Sequence, residues 1–586
     1  MAYLDACEHS HEIAARWRLH RGRAVSATAE ELVETPDQDG AFPRLTEDQL
    51  ARLEAQGTRR HTHAGEVLFR EGDEQYDFHV VLDGKVAVVE DQGGPHERLI
   101  AVHGPRRFLG ELGLLTGQAA FFTAVVREPG EVLVVPVGRL RALLSHDSAL
   151  GDLLLRAYFL RRELLIGLGA GFRIIGSSFS PDARRLREFV ARNRLPHRWI
   201  DLEQDAGAEA LLREVGVAPQ ETPVVIWRGE VMRNPSNAEL ARAVGLSTTP
   251  NERTLCDLLV VGSGPAGLAA SVYGASEGLD TVALDALATG GQAGTSSRIE
   301  NYLGFPAGIS GADLAERAAI QAKKFGARII VPAEAVALES VEDHHLVRLA
   351  DDREILARTV LIASGARYRK LPVPRLEEFE GGSVYYAATL TEARICAGDP
   401  VVVVGGGNSA GQATLFLSRY ATEVRLLIRG DSLSANMSRY LADRIERSGV
   451  EVLLDTEVRA LEGEGTLEAV VAESKRTGKR QRLPARAMFV FIGADPHTGW
   501  LRQCVALDRD GFVLTGPAAG ATLEEGERGS RRPLLLETSR PGVVAAGDVR
   551  SGSIKRVASA VGEGSMAVRL VYDFLERAHQ HPHHVP

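Results

Sequence analysis

Residues 42–145 alternate short apolar runs with glycine turns, as in FHVVLDGKVAVVE at 78–90. Evenly spaced runs of this length are typical of the strands of an antiparallel roll or barrel. The next stretch, 147–167, instead repeats apolar side chains every three or four positions, which predicts a helix. The front of the chain is therefore expected to be a β-roll that ends in helices.

The remainder of the chain alternates strands and helices. Residues 172–246 follow the order β-α-β-α-β-β-α. From Cys256 onward a buried strand, a glycine-rich turn, a helix and a second strand occur twice, at 257–285 and at 400–429. That repetition indicates two nucleotide-binding units built on parallel sheets. We expect a multidomain protein with an N-terminal β-roll, an α/β middle domain and a C-terminal two-domain Rossmann-like α/β fold.

The composition narrows the class of protein. At 586 residues the chain is too long for one core, and 44% hydrophobic with 25% charged residues is ordinary for a soluble globular protein. A net charge of -10 without a basic tract argues against a nucleic-acid partner. No apolar run is long enough for a transmembrane helix, and the N-terminus lacks the apolar core of a signal peptide, so no membrane partner is expected.

The cysteines are few and scattered. Cys7, Cys256, Cys396 and Cys504 are the complete set, and no two of them lie within five residues of each other. This spacing leaves no Cys-x-x-Cys, zinc knuckle or local disulfide framework, which suits a reducing compartment. We expect a cytoplasmic protein without a metal site, and we interpret the His-rich residues of the two ends as solvated tails.

The first glycine-rich turn lies in CDLLVVGSGPAGLAASVYGASEGLDTVALDA. Gly262, Gly264 and Gly267 form G-x-G-x-x-G where a buried strand should become a helix: one glycine permits the tight turn, the next lets a pyrophosphate approach, and the last lets helix and strand pack closely. Asp285 ends the following strand, placed to accept from ribose hydroxyls. A strand, a helix and an acidic residue at the expected positions around these glycines together predict a dinucleotide-binding site.

The second turn lies in VVVVGGGNSAGQATLFLSRYATEVRLLIRG, where Gly405, Gly407 and Ala410 give G-x-G-x-x-A. No acid closes its second strand, and Arg425 and Arg429 lie there instead. A cation at this place favours a 2′-phosphate and hence NADPH, with NADH still possible; the alternative is that both arginines are ordinary surface charges. Two dinucleotide sites in one chain suggest a nicotinamide donor and a flavin carrier.

Residues 254–575 resemble the low-molecular-weight bacterial thioredoxin reductases. The resemblance rests on GSGPAG at 262–267, TGGQAGTSSRIENYLGFP at 289–306, FVFIGADPHTGWL at 489–501 and VVAAGDVRSGSIKRVASAV at 543–561. It implies hydride transfer from NADPH to FAD and on to an acceptor. It implies that FAD is held by Gly262, Ser263, Gly264, Pro265, Ala266, Gly267, Asp285, Gly291, Gln292, Asn301, Gly365, Gly547, Asp548, Lys555, Arg556 and Val557, and NADPH by Gly405, Gly407, Asn408, Ser409, Ala410, Arg425 and Arg429.

The chain departs from that family at its redox dithiol. In the segment AATL, Ala387 and Leu390 occupy the two cysteine positions that the resemblance implies. Neither side chain can form or attack a disulfide. Cys396 lies nine residues beyond Ala387, and we interpret it as a packed cysteine rather than a single-thiol relay. No catalytic residue is therefore assigned, and disulfide reductase activity is doubtful.

Residues 42–168 resemble a cyclic-nucleotide-binding domain through GDEQYDFHVVLDGKVAVV and FLGELGLLTGQ. The resemblance implies that Gly110 and Glu111 begin the phosphate-binding segment and that an arginine follows about ten residues later. QAAFFTA at 118–124 supplies no arginine, so the cyclic phosphate lacks its bidentate partner. We expect a degenerate sensor or a structural roll, with a cyclic nucleotide or another effector as the open alternatives.

Residues 172–246 resemble a thioredoxin or glutaredoxin fold, and TPVV at 222–225 is similar to its cis-proline strand. The loop SSFSPDA at 177–183 has no cysteine, and Ser180 is interpreted as a helix N-cap followed by Pro181 at the first helical position. Without a thiolate we expect a docking or scaffold domain.

The predicted domains are a disordered leader at 1–41, a cyclic-nucleotide-binding-like domain with C-terminal helices at 42–168, a thioredoxin-like domain at 172–246, a discontinuous FAD-binding domain at 254–374 and 495–575, and an NAD(P)H-binding domain at 375–494. The leading hypothesis is an FAD-dependent NAD(P)H oxidoreductase of thioredoxin-reductase type whose electron acceptor is unknown: thioredoxin, ferredoxin or a small molecule. The alternatives are a ferredoxin- or quinone-type flavin reductase and a non-catalytic flavin- and NADPH-binding redox sensor. The resemblance also implies a homodimer.

Overall fold

The structure is a computed structural model that describes residues 32–580, apart from 95–96, 247–253, 297–298, 300–301, 381, 387, 389–391, 394–395, 502 and 523–532. Its front part is an antiparallel sheet of strands β1–β5, in the order β1-β5-β3-β4 with β2 paired to β5. The strands are β1 Thr58–Thr62, β2 Val67–Phe69, β3 Phe78–Glu90, β4 Arg98–His103 and β5 Thr123–Val135; the helices are α1 Glu47–Glu54, α2 Leu112–Thr116, α3 Val137–His146 and α4 Ser148–Gly167. The predicted roll with C-terminal helices is confirmed.

The segment before the roll corrects the expected leader. Thr35 and Ala41 are buried, and the backbone N–H of Thr35 donates to the carbonyl of Val102 at 3.0 Å. The Val102 N–H in turn donates to the Thr35 hydroxyl at 2.8 Å. The expectation of a disordered leader is therefore wrong for residues 32–41, because Thr35 and Ala41 are buried and the segment extends the hydrogen bonding of β4. Residues 1–31 lie outside the described residues.

The middle part is a four-stranded sheet in the order β7-β6-β8-β9, with β6 and β7 parallel and β8 antiparallel to β6. Its elements are β6 Phe172–Gly176, α5 Pro181–Arg192, β7 His197–Asp201, α6 Ala208–Glu214, β8 Val224–Trp227, β9 Glu230–Arg233 and α7 Asn237–Ala243. The Ser180 hydroxyl accepts from the Ala183 N–H at 3.3 Å, and Pro181 begins α5. The peptide bond between Thr222 and Pro223 is cis. The element order and the cap are those predicted from the sequence.

The first C-terminal sheet has seven strands: six lie in the order β12-β11-β10-β15-β14-β13, and the seventh, β26 Val543–Ala545, pairs in parallel with β15. Its elements are β10 Thr254–Val261, α8 Pro265–Ser276, β11 Thr281–Leu284, α9 Gly311–Lys324, β12 Arg328–Ile330, β13 Ala335–Val341, β14 His344–Leu349 and β15 Glu354–Ile362. The strands β10, β11, β12 and β15 are parallel, as nucleotide-binding sheets require.

The second C-terminal sheet is parallel, in the order β17-β24-β18-β19-β20, beside a three-stranded antiparallel sheet β21-β22-β23. The elements of this part are α10 Leu376–Phe379, β17 Val384–Tyr385, β18 Pro400–Val404, α11 Asn408–Leu417, β19 Glu423–Leu427, α12 Arg439–Glu446, β20 Glu451–Leu453, β21 Thr456–Glu462, β22 Ala469–Ser474, β23 Arg480–Pro484 and β24 Ala487–Val490. Strands β16 Ala366–Tyr368 and β25 Ala494–Pro496 connect it to the first part, and α13 Gly516–Gly520 and α14 Val557–Gln580 follow in the chain, with α14 packed against the core of the first sheet. β16 and β25 pair antiparallel where the chain leaves and re-enters the first sheet's part. This confirms the predicted two-part α/β architecture.

Buried ion pairs join the roll, the middle part and the first C-terminal sheet. Arg162 of α4 donates to the Gln118 side chain at 2.9 Å and lies 3.4 Å from the Glu316 carboxylate of α9. Arg194, just after α5, lies 3.2 Å from Glu316 and also pairs with Glu163. Glu316 therefore lies between a cation from the roll and a cation from the middle part.

Within the part of the chain that the structure describes, no helix is long and apolar enough to cross a membrane. The same residues contain no group of three or more His, Cys, Asp or Glu side chains placed to hold a metal ion.

Candidate active site

The first glycine-rich turn joins β10 to α8 as the sequence predicts. Gly262 has φ +107°, and a Cβ there would lie 2.3 Å from the carbonyl oxygen of Ala363. A Cβ on Gly267 would lie 1.8 Å from the carbonyl oxygen of Gly262. Both contacts are with backbone, which cannot move aside, so these two positions require glycine. At the start of α8, Pro265 takes the first helical position and leaves neighbouring N–H groups available to an anion.

A second loop lies against this turn. Gly291 has φ +52°, and a Cβ there would lie 3.0 Å from the Cα of Gly264. The backbone N–H of the preceding Gly290 donates to the carbonyl of Ser263 at 2.7 Å. The adjacent Gln292 reaches in the other direction, since its side-chain amide donates to the carbonyl of Ala366 at the crossover strand β16. The structure thus brings together the loop of Gly290, Gly291 and Gln292, the first glycine-rich turn and strand β16.

Asp285 lies at the end of β11, as predicted, but its carboxylate is already engaged. It accepts from the backbone N–H groups of Ser263 at 2.9 Å and of Leu287 and Ala288 at 3.1 Å each. Burial raises the pKa of this carboxyl, against the lowering effect of those three bonds. A carboxylate has about four acceptor positions, so one remains for a ribose hydroxyl. Asp285 consequently orders the turn as well as facing the expected nucleotide.

The closing motif lies beside the start of α8. Gly547 has φ +76°, and a Cβ there would lie 3.0 Å from the Cβ of Ala266. Its N–H donates at 2.7 Å to Glu563 of α14, a carboxylate that sequence reasoning missed. The Asp548 carboxyl is half-buried, and that burial raises its pKa. Asp548 has no side-chain hydrogen bond to any described residue.

The segment before α14 is the one expected near the flavin ring. Lys555 Nζ lies 4.6 Å from the ring centre of Phe512, and Arg556 donates to the carbonyl of Lys555 at 2.9 Å. Val557 begins the 24-residue helix α14. A long helix that starts here directs its unpaired N–H groups and positive dipole end toward whatever lies at its N-terminus. Asn301, the remaining residue expected near the flavin, lies outside the described residues.

The second glycine-rich turn joins β18 to α11. Gly405 has φ +145°, and a Cβ there would lie 2.3 Å from the carbonyl oxygen of Phe491. Gly407 caps α11, and a Cβ there would meet no atom within 4 Å, so the space above this turn is open. Asn408 accepts from the Ser438 N–H at 2.7 Å, which fixes the start of the helix. Ala410 is buried, as the packing position of the motif requires.

The same chain is matched by the sequence pattern of the pyridine nucleotide-disulphide oxidoreductase family over residues 256–564. That match covers more than half of the 586 residues and both glycine-rich turns. The chain belongs to this family. The cyclic nucleotide-binding domain pattern matches residues 59–147, which correspond to the roll.

Curated relatives of this oxidoreductase match its C-terminal part over nearly their whole length. The 34.2 kDa protein in the rubredoxin operon of Clostridium pasteurianum is 31% identical over 333 residues, 55% of this chain and 98% of that protein. The thioredoxin reductase of Treponema pallidum is 32% identical over 321 residues, 55% of this chain and 97% of that protein. Among solved structures, thioredoxin reductase from Streptococcus pyogenes has 30% identity, covers 56% of this chain and 100% of that chain, and has a TM-score of 0.47.

The two arginines expected to bind a 2′-phosphate differ in this oxidoreductase. Arg425 lies inside β19, with 12% of its side chain exposed, between the carboxylates of Glu423 and Glu451. Arg429 follows the end of β19 and is exposed, with no hydrogen bond or ion pair to any described residue. Arg425 is thus held by protein carboxylates, and Arg429 is the cation available at the strand end.

The three cysteines that the structure describes in this oxidoreductase are not joined by a disulfide. Cys256 lies in β10, where burial raises the pKa of its thiol to about 12. Burial also raises the pKa of Cys396 to about 11, and its thiol donates to the Glu392 carbonyl at 3.0 Å. Cys504 donates to the carbonyl of Leu338 at 2.7 Å. All three are free thiols; Cys7, Ala387 and Leu390 lie outside the described residues.

In the roll, Gly110 has φ +96° and precedes a buried carboxylate, Glu111. Glu111 Oε1 accepts from the Phe121 N–H at 2.8 Å, and burial raises its pKa to about 7. Ala119, Ala120, Phe121 and Phe122 are buried where the resemblance implies an arginine. The segment that resembles a phosphate-binding loop therefore combines a glycine of positive φ with four buried apolar side chains.

Proposed function

We propose that this chain is an FAD-dependent NAD(P)H oxidoreductase whose electrons leave the protein without a dithiol. One observation carries the proposal: both nucleotide turns keep the backbone that a dinucleotide needs, whereas the family's redox dithiol is replaced by Ala387 and Leu390. The high thiol pKa values of Cys256 and Cys396 support it, because a thiolate is the species that attacks a disulfide.

The residues of the first turn fit FAD. A side chain is disfavoured on Gly291, which has a positive φ and whose Cβ would lie 3.0 Å from the Gly264 Cα, and two neighbouring glycines leave room for a pyrophosphate at the start of α8. Asp285 keeps one acceptor position toward the ribose, and Asp548 is a half-buried acceptor without a protein donor among the described residues. When bound, FAD would accept a hydride from the nicotinamide and pass electrons onward.

The chain's own groups near α14 would stabilise negative charge on the isoalloxazine side. The N–H groups at the start of α14 have no partners within the helix, and Lys555 and Arg556 add two cations directly before it. The family resemblance places Arg-Gln-Ala there, so Lys555, Arg556 and Val557 conserve the positive charge while changing the side chains.

The nicotinamide nucleotide would bind at the start of α11, through the backbone of Gly405, Gly407, Asn408, Ser409 and Ala410. Open space above Gly407 and the exposed Arg429 support this placement. We propose NADPH as the preferred donor because Arg429 is a cation without a protein partner in the described chain. The acceptor would be a ferredoxin, a quinone-like molecule or another small oxidant, and a homodimer is proposed as in the resembled family.

The test uses purified full-length protein under anaerobic conditions. We expect NADPH to bleach the visible flavin band, and we expect turnover with ferredoxin or a quinone but none with thioredoxin plus DTNB. Failure of both NADPH and NADH to reduce the flavin would refute the enzyme and favour a sensor. Thioredoxin-dependent turnover that disappears in Cys396→Ser would instead show that a thiol carries the electrons and would refute the thiol-independent route.

A further inference from the structure

A partly open cavity of about 490 Å³ lies between the sheet of the roll and α4. This volume lies within the range of small-molecule sites, and most of its lining is apolar. The apolar lining includes Phe42, Phe69, Val88, Ile100, Phe122 and Leu164.

Three polar atoms in the cavity wall are buried without hydrogen-bond partners. They are Gln38 Oε1, His103 Nδ1 and Glu111 Oε2. The exposed fractions of His103 and Glu111 are only 2% and 6%. Leaving such an atom unpaired is destabilising, and native proteins rarely leave several unpaired around one space. The arrangement points to a ligand that supplies the missing partners.

The charges of the wall do not suit a phosphate. Arg161 is the one Lys or Arg among the residues that line the cavity, and it already donates to the carbonyls of Ala41 at 2.7 Å and Gly110 at 2.8 Å. Its guanidinium also lies 4.5 Å from the ring centre of Phe108. Asp39, Glu111 and Glu163 line the same cavity, so an anionic ligand would meet more acids than bases.

Two buried polar side chains of the wall, His103 and Glu111, are uncharged or close to it. Burial lowers the pKa of His103 well below its ordinary range, so its imidazole is neutral. Burial raises the pKa of Glu111 to about 7, so its carboxyl holds a proton readily. A neutral imidazole accepts, a protonated carboxyl donates, and an alcohol hydroxyl can satisfy both at once.

We propose that the roll cavity binds an uncharged, predominantly apolar molecule that carries a hydroxyl group, in place of a cyclic nucleotide. The apolar body would fill the space beside Phe122 and Leu164. The hydroxyl would lie at the end of the cavity formed by His103 and Glu111. This site is separate from the nucleotide turns, and the inference does not depend on the proposed redox function.

The experiment titrates the full-length protein with N-phenylnaphthylamine, a neutral fluorophore that brightens in apolar cavities. We expect saturable binding of one probe per chain and its displacement by decanol. Decanoate, which has the same number of carbons with a negative charge, and cAMP, which carries a cyclic phosphate, should each displace it at least about tenfold less well, since neither finds an unpaired cation. Preferential displacement by cAMP would overturn the proposal, as would failure of decanol to bind in calorimetry.

Substitutions in the cavity wall test whether the probe and decanol bind in the roll cavity. Leu164→Trp places a large ring in the cavity and should weaken probe binding at least about tenfold, whereas Leu153→Trp, on the same helix but outside the cavity lining, should not. His103→Leu keeps the volume and removes the acceptor, so decanol should bind about fivefold more weakly while the probe is unaffected. Equal probe affinity in both tryptophan variants would overturn the location. Unchanged decanol affinity in His103→Leu would overturn the role of the hydroxyl, and this variant decides the question even if Leu164→Trp does not fold.

Discussion

The guanidinium of Arg192 donates a 2.8 Å hydrogen bond to the backbone carbonyl of Gly291. The neighbouring Asn193 donates to the carbonyl of Leu287 at 3.0 Å. Both donors lie at the end of α5 in the thiol-free middle module, and both acceptors lie in the loop between Asp285 and Gln292, where FAD is expected. The module therefore braces the FAD-side loop from outside the nucleotide-binding fold, which is a physical role that needs no cysteine.

Removing the brace should loosen FAD. We expect Arg192→Met to weaken FAD binding by about fivefold, because one hydrogen bond that orders the loop is worth about 1 kcal/mol. Titration of the apoprotein, followed by quenching of flavin fluorescence, measures this directly. Arg184→Met changes an exposed arginine of the same helix and is the control. Equal FAD affinities of Arg192→Met and Arg184→Met would show that Arg192 does not order the FAD-side loop.

The close approach of Gly291 and Gly264 predicts a larger effect. Gly291→Ala adds a methyl group 3.0 Å from the Gly264 Cα, at a residue whose φ of +52° is itself unfavourable for alanine. We expect the variant to fold and to be purified without FAD. Gly216→Ala is matched in its positive φ, +66° against +52°, but its Cβ would meet nothing within 4 Å. Retention of FAD by Gly291→Ala would show that the loop is not part of the site.

The sequence predicted the elements whose determinants are local. Gly267 is required by a close contact with the carbonyl of Gly262, five positions earlier in the same strand–turn–helix unit, and Ser180 caps a helix that begins at the next residue. A pattern along the chain can express such relationships.

The relationships that sequence reasoning missed join residues far apart in the chain. Arg192 contacts Gly291 across 99 positions, and Arg162 contacts Glu316 across 154. Arg425 was expected at a phosphate because it stands near a strand end, but Glu451, on the adjacent strand β20, holds it. The register of the strands decides which charged side chains lie next to each other in a sheet, and the sequence pattern does not give that register.

The contrast between the two arginines gives a test of donor preference. Arg429→Ala should raise the KM for NADPH several-fold more than the KM for NADH, because it removes the exposed cation at the end of β19. Arg425→Ala should change both KM values equally, since its guanidinium is held by Glu423 and Glu451. Steady-state kinetics with each nucleotide measures the difference. Equal increases in the KM for NADPH and the KM for NADH in Arg429→Ala would show that Arg429 does not recognise the 2′-phosphate.

The ion pairs at Glu316 predict how the front of the chain is held to the FAD-side sheet. Glu316→Gln leaves Arg162, with 2% of its side chain exposed, and Arg194, with 12% exposed, without their shared carboxylate. Removing one partner from a buried ion pair costs about 3 kcal/mol or more, so the variant should unfold at lower urea concentration. Trp199 and Trp227 lie in the middle module and report its unfolding by fluorescence. Glu188→Gln, at an exposed position of α5, should unfold like the parent protein.

The buried Glu111 carboxyl predicts that the free energy of unfolding falls as the pH rises. Its pKa is about 7 in the folded protein, above the ordinary value of 4.5, because the roll buries it. Between these values the folded state binds a proton that the unfolded state has released. The contribution of this proton to the free energy of unfolding is therefore present in full below pH 4.5. It is lost as the pH rises toward 7, a change of about 3 kcal/mol.

The variant Glu111→Gln isolates this effect, because glutamine remains uncharged at every pH. We expect the free energy of unfolding of the parent protein to fall relative to that of Glu111→Gln by about 3 kcal/mol between roughly pH 5 and pH 8. Urea denaturation at several pH values gives both curves, and the difference between them cancels other groups that titrate in the same range, such as Glu71. Glu47→Gln, at an exposed position in the first turn of α1, should run parallel to the parent protein. A Glu111→Gln curve that also runs parallel would mean that the Glu111 carboxylate is charged and solvated in the roll, and hence that the cavity wall is not the neutral surface described above.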